Sequence, residues 1–275
     1  MTDQPQPEQP HDEPHFDFQA DDRGGVTVLR DGHPQSHVDL RDPELLVFEY
    51  VAQLAIGIDL LPPGPAGVTH IGGAGLTLAR YVQHTRPGSP QIVLEPDTAL
   101  TEAVRRELPL PRNHRIRIRP QDGATGIAAL RDGSADAIVL DAYDEGRVPA
   151  NLLSPTAIQH FARVLRPGGL ALLNLADEPS RRHLARELAT VTASFPHAVV
   201  LALADVMKGR RFGNYVVIAS DTAFDIDEIR RRATRLAATT AVRPASALRA
   251  TAKPFTDEDV VPSPQPPDLG AWRAR

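Results

Sequence analysis

Between residues 68 and 175 the chain alternates short apolar runs with helix-like stretches, and that rhythm restricts the fold more than any other feature. The runs are VTHIG (68–72), QIVLE (91–95), RIRIR (115–119), AIVLD (137–141) and LALLNL (170–175). Between most of them lie LTLARYVQHT, TALTEAVRREL, ATGIAALR and PTAIQHFARVL, whose apolar residues recur at helical spacing. Strand alternating with helix, with little polar alternation in most of the strands, predicts a mostly parallel α/β sheet covered on both faces. AVVLALA (198–204) and NYVVIAS (214–220), joined by MKGRRFG, read as an antiparallel pair closing the sheet edge. In such folds ligands bind beyond the carboxyl ends of the strands, so residues at those ends are the candidates for function.

The flanks have a different character. HFDFQA (15–20), GVTVLR (25–30) and QSHVDL (35–40), with a turn at Asp31-Gly32, predict a small β-hairpin unit. Asp42-Pro43 is expected to start a helix running through PELLVFEYVAQLAIGIDL, and residues 61–67 form a breaker-rich linker. The resulting division is a polar, Pro-rich tail expected to be disordered (1–14), a hairpin unit with its helix (15–62), a Rossmann-like α/β domain (63–222), and a C-terminal helix with a Pro-rich tail (223–275). No internal repeat is visible.

Composition narrows the function classes. Thirty basic and 35 acidic residues give a net charge of -5, and Lys208 and Lys253 are the only lysines. The arginines are scattered among acids, which argues against nucleic-acid binding and suits a cationic or small polar substrate. No apolar run approaches the roughly 18 residues of a membrane span. The acidic N-terminal stretch does not read as a signal peptide, so a cytoplasmic location is the simplest expectation. Without cysteine, thiol catalysis and Cys-ligated metals are excluded, and His11 and His15 suggest no metal site.

The strand ends carry a coherent set of groups. Gly72, Gly73 and Gly75 permit a tight turn and close approach by a ligand, or serve only as a strand-to-helix turn. Leu78 stands where a dinucleotide fingerprint would place its next glycine, so a nucleoside fits better than a pyrophosphate. Glu95 ends the second strand about 20 residues on, where an acid holds ribose hydroxyls or serves only as a charge at the N-terminus of the next helix. Asp97 reads equally as a ligand contact or a helix cap. Asp122-Gly123 suits an adenine edge or an Asx turn. Together these describe an S-adenosylmethionine-type site.

Asp141 ends the fourth strand, where a carboxylate can take a proton from an ammonium or fix it, and Asp144 can hold the amine's other end. Both also read as loop hydrogen-bonders, and Tyr143 between them walls a pocket or shields the strand end. His70 is expected to be a hydrogen-bonded strand histidine, and Lys208-Gly-Arg210-Arg211 a solvated turn.

With these residues in place the chain resembles the polyamine aminopropyltransferases, the spermidine synthase family. "DGHPQSHVDL" resembles the strand whose Gln, here Gln35, helps hold decarboxylated S-adenosylmethionine. "VTHIGGAGLTL", "IVLEPD" and "PQDG" resemble the nucleoside loop, the ribose acid and the adenine-side Asp-Gly. "VLDAYDEGRVPANLLS" resembles the stretch with the general-base Asp and the amine-binding Asp, and "FARVLRPGGL" completes the match, which spans about residues 26 to 220. The resemblance implies a class I methyltransferase-like Rossmann fold behind a β-hairpin unit, and a homodimer or homotetramer. It also implies aminopropyl transfer from decarboxylated S-adenosylmethionine to a di- or polyamine, with Asp141 as base. Two departures stand out: nothing acidic lies between Gly72 and Thr77, and the family's Tyr-His-Glu run reads Val47-Phe48-Glu49, leaving Glu49 as a substrate-side candidate. The same nucleoside site would serve an S-adenosylmethionine-dependent methyltransferase, with Arg210 or Arg211 for the carboxylate. A non-catalytic nucleoside- or polyamine-binding or interaction protein is the third reading.

Overall fold

The structure, a computed structural model, describes residues 15–267. The expected tail, 1–14, lies outside the described residues, as do 268–275. Three antiparallel strands come first, β1 (Phe16–Ala20), β2 (Gly25–Arg30) and β3 (His33–Asp39). They are followed by α1 (Glu49–Leu60). The alternating region then gives β4 (Val68–Gly72), α2 (Thr77–Thr85), β5 (Gln91–Leu94), α3 (Thr98–Glu107) and β6 (Ile116–Arg119). It continues with α4 (Gly123–Ala128), β7 (Ala135–Asp141), α5 (Ala150–Leu153), α6 (Pro155–Val164) and β8 (Leu165–Asp177). After these come α7 (Arg182–Ser194), β9 (His197–Leu203), α8 (Ala204–Met207) and β10 (Gly213–Ser220). The described chain ends with α9 (Ile226–Ala233), β11 (Thr240–Pro244), α10 (Ser246–Arg249) and an irregular segment.

The main sheet has the order β11-β9-β10-β8-β7-β4-β5-β6. β4 to β8 are parallel, while β10 pairs antiparallel with both β8 and β9. This is a class I methyltransferase-like Rossmann arrangement, with its switch in strand order at β4. The antiparallel pair does not close the sheet: β11 pairs outside β9 and forms the edge. Its sequence, TAVRP, lacks an apolar run because Val242 is its one buried residue, which hid it from a search for apolar strands.

Core clusters fill both faces of the sheet. One joins Ile138, Leu173 and Val200 to Phe161 and Leu188 of α6 and α7. The other joins Val139, Leu172 and Val199 to Leu54 and Ile58 of α1 and to Ile229 of α9. The central unit thus shares its core with α1 on one side of the sequence and with α9 and β11 on the other. A third cluster packs Val28 and Val38 of the hairpin unit on α2 and α3, so that unit roofs the end of the sheet where the site lies. α1 starts at Glu49, six residues after the expected Pro43. Leu45 and Val47, which had counted towards its apolar stripe, are exposed before the helix begins. Among the described residues no helix is long and apolar enough to cross a membrane.

Candidate active site

β4 turns into α2 through a loop that needs glycine at its first two positions. Gly72 and Gly73 adopt φ of 78° and 110°, in the left-handed region that disfavours side chains. A Cβ on Gly72 would also collide with the backbone carbonyl of Asp141, because the two residues are register partners of β4 and β7. Gly75 lies behind the loop, where its N–H donates to Ser36 Oγ at 2.7 Å, and a Cβ there would displace that hydroxyl. The loop is therefore tied to β3, and a cavity of about 470 Å³ opens over it.

The expected nucleoside-side residues converge on this cavity. Gln35, Gly72, Gly73, Glu95, Asp122 and Gly123 line it. Glu95 stands half-buried at the end of β5, accepts from the Asp97 N–H at 3.0 Å, and is pushed up from the ordinary carboxylate range by burial. Asp97 caps α3 by accepting from Leu100 N–H at 2.8 Å and pairs with Arg30 at 3.5 Å. Asp122 caps α4, accepting from Thr125 N–H at 3.0 Å, and hydrogen bonds from Thr125 hold its carboxyl low. Both capping aspartates also line the cavity, so capping and ligand contact are compatible there. His70 is buried and bonded to Gln91 at 2.8 Å, and burial depresses its pKa to about 4. It is a neutral strand histidine.

The other end of the cavity is built around Asp141. Burial at the end of β7 raises its pKa to about 6, against the lowering effect of one hydrogen bond from Asn174 Nδ2 to Asp141 Oδ1 at 2.9 Å. Asn174 is fully buried in β8, and its Oδ1 accepts from Asn214 Nδ2 of β10 at 3.0 Å. Asn214 Nδ2 also donates to the Tyr143 hydroxyl at 3.1 Å, and that hydroxyl donates to the Asn174 carbonyl at 3.2 Å. Tyr143 and Tyr50 both line the cavity, and burial together with the Asp141 charge pushes both phenols well up, which keeps them neutral.

Tyr50, Asn174 and Asn214 were not expected from the sequence. Tyr50 takes the place anticipated for Glu49. One residue is about 100° of helix rotation, so with Tyr50 turned towards the cavity Glu49 faces solvent and does not line it. The signal for Asn174 was present in LALLNL: a lone amide inside an apolar strand must find partners.

Asp144 also lines the cavity, at the start of a tight turn. Its N–H donates to the Arg147 carbonyl at 2.8 Å, the reciprocal bond is 2.9 Å, and Glu145 and Gly146 sit at φ of 48° and 77°. Such paired left-handed residues make a two-residue hairpin turn. The C-terminal segment pins this turn. Val148 N–H donates to Ser263 Oγ at 2.8 Å, Arg147 Nε to the Ser263 carbonyl at 2.7 Å, and Gln265 Nε2 to the Glu145 carbonyl at 3.0 Å.

Five carboxylates, Glu95, Asp97, Asp122, Asp141 and Asp144, thus face Arg30 as the one arginine or lysine lining the cavity among the described residues. Arg210 and Arg211 lie in an exposed turn outside it, with Arg210 paired to Asp205 at 2.9 Å. No group of three or more His, Cys, Asp or Glu able to hold a metal ion occurs among the described residues. The arrangement can hold a cationic ligand and receive a proton at Asp141.

Comparison with known proteins agrees with this layout. No family model matches the chain. It is 26% identical over 161 residues to the polyamine aminopropyltransferase of Chromobacterium violaceum, a match covering 58% of this chain and 61% of that protein. The aligned part therefore spans about three fifths of that relative's length. The crystal structure of a probable spermidine synthase from Corynebacterium glutamicum superposes with a TM-score of 0.83 at 27% identity, covering 89% of this chain and 94% of that one. A spermidine synthase in complex with the transition-state analogue AdoDATO shares the fold, at a TM-score of 0.57 and 18% identity over 90% of this chain and 79% of that one. The strand order, the cleft at its switch point and the two matches at 26–27% identity make the chain similar to the polyamine aminopropyltransferases and spermidine synthases.

Proposed function

We propose that the protein is an aminopropyltransferase that moves the aminopropyl group of decarboxylated S-adenosylmethionine to a di- or polyamine. The observation that carries this reading is the partly desolvated Asp141 carboxylate at the strand end of an acidic cleft. Gln35, Glu95 and the Gly72–Gly73 turn hold the nucleoside, with Asp122 and Gly123 on the adenine side. Asp144 and Tyr143 hold the amine, and Tyr50 takes the part expected of Glu49.

In the reaction the amine nitrogen attacks the methylene carbon next to the sulfonium. The carbon–sulfur bond breaks, its electron pair neutralises sulfur, and methylthioadenosine leaves. Before that attack Asp141 takes a proton from the substrate ammonium, which frees the nitrogen lone pair that forms the new bond. A carboxyl at about 6 stands roughly two units nearer an ammonium than one at 3.8, which makes that transfer less uphill by about 3 kcal/mol.

Charge favours the decarboxylated co-substrate. Intact S-adenosylmethionine would bring a carboxylate into a cleft of five acids, and Arg210 and Arg211 do not reach it. On this reading the enzyme acts in the cytoplasm as a homodimer or homotetramer, which sedimentation can check.

The test incubates the protein with decarboxylated or intact S-adenosylmethionine and a panel of amines, with products read by mass spectrometry. An aminopropylated amine that falls about 10²–10⁴-fold in Asp141→Asn is the expected result. A methylated product would overturn the reading, and nucleoside binding without turnover would assign the chain to the non-catalytic class.

A further inference from the structure

We propose that Asn174 and Asn214 are positioning residues that act in series to aim one oxygen of the Asp141 carboxylate into the cleft. The inference deepens the aminopropyl-transfer reading and rests on it for its kinetic consequences, but not for its geometry.

The argument begins with donors and acceptors. Asn214 Nδ2 gives hydrogens to two oxygens, Asn174 Oδ1 at 3.0 Å and the Tyr143 hydroxyl at 3.1 Å. The Tyr143 hydrogen is committed to the Asn174 carbonyl at 3.2 Å. An amide oxygen must therefore face Asn214, and the Asn174 side chain has only one orientation that supplies it. The Asn174 Nδ2 is then left pointing at Asp141 Oδ1, at 2.9 Å. Turning that amide over would set its nitrogen against the Asn214 nitrogen and its oxygen against a carboxylate, and Asn174 is fully buried. The chain of bonds thus delivers a fixed N–H to one carboxylate oxygen and leaves the other for the substrate.

The surroundings make that N–H decisive. Tyr50 of α1 and Tyr143 face Asp141 as neutral phenols, and Glu187 of α7, itself pushed up by burial, acts on Tyr143 from behind. Asp144 shares the cavity as a further acid. Among the described residues no cation contributes to holding Asp141 ionised, so the Asn174 amide is the group that favours its charged form against desolvation.

Carbon-13 NMR of the Asp carboxyls tests this without requiring turnover, with the Asp141 signal identified by its absence in Asp141→Asn. In the unaltered protein that signal should titrate near 6. Asn174→Ala should move it up by about 1 pH unit or more, and Asn214→Ala should move it in the same direction by less. In the transfer assay the acid limb of kcat/KM should move with it and kcat should fall, while KM for decarboxylated S-adenosylmethionine holds.

A residue that only stabilises the fold would lower the melting temperature and leave the titration in place, and that result overturns the proposal. If Asn174→Ala does not fold, Asn214→Ala, one bond further from the carboxyl, decides by the same criterion. A shifted titration in a protein that transfers no aminopropyl group would preserve the positioning role and defeat the proposed reaction instead.

Discussion

The two halves of the cleft are built from different materials. The nucleoside half is mostly backbone and short-range contact, with the Gly72–Gly73 turn, Asp97 capping three residues ahead and Asp122 doing the same, and with the Gly75–Ser36 bond and the Arg30–Asp97 pair as its long-range ties. The amine half is side chain and long-range contact. Asp141 leans on Asn174, 33 residues away, Asn174 on Asn214, 40 further, and the Asp144 turn on Ser263, more than a hundred beyond. One half should therefore resist side-chain changes but not an added Cβ. The other should tolerate backbone adjustment and fail when a single amide or hydroxyl is removed.

Gly72→Ala should give the largest effect. The new Cβ meets the Asp141 carbonyl in a left-handed backbone, a combination expected to cost about 2–5 kcal/mol. Denaturant unfolding measures the loss, and calorimetry with methylthioadenosine should find the nucleoside half disabled. Wild-type affinity in that variant would dissolve the distinction between the halves.

Asp141→Asn should act with the opposite sign on stability. The folded-state pKa of about 6 lies above the ordinary 3.8, so between those values the folded protein binds the proton more tightly than the unfolded chain. Stability therefore falls as pH rises through that window, and above about pH 6 the full penalty of an ionised buried carboxyl is present. Removing the charge should stabilise the protein at pH 7.5 by about 1–3 kcal/mol, with the difference gone near pH 4. Urea titrations at the two pH values read both points.

Ser263→Ala should be the smallest change. It deletes the bond to Val148 N–H, for about 1–2 kcal/mol. It should raise KM for the amine several-fold and leave nucleoside affinity alone; equal effects on both ligands would show that the halves are not separable.

The same division explains what the sequence could show. The strands of the central sheet, the glycine turn and the capping aspartates announce themselves because each pattern is complete within a few residues. Tyr50 was one helical position away from the residue anticipated, since the start of α1 has no side-chain cap to mark it. β11 forms because β9 offers it an edge, not because TAVRP is a strong strand former. Asn174 interrupts the apolar run LALLNL, and its role is visible only with its partners on β7 and β10 in place.

The pinning of the Asp144 turn by Ser263 has a consequence for the order in which the molecule matures during synthesis. The ribosome releases the nucleoside half when β7 and α6 have emerged, yet the clamp on the turn lies 116 residues after Arg147. A growing chain thus passes through a stage in which the Asp144 turn lacks the segment that pins it, because closing so long a loop waits for its last contributor. Hydrogen exchange at Asp144 and Arg147 in the Ser263→Ala protein would show that stage at equilibrium, as faster exchange confined to the turn.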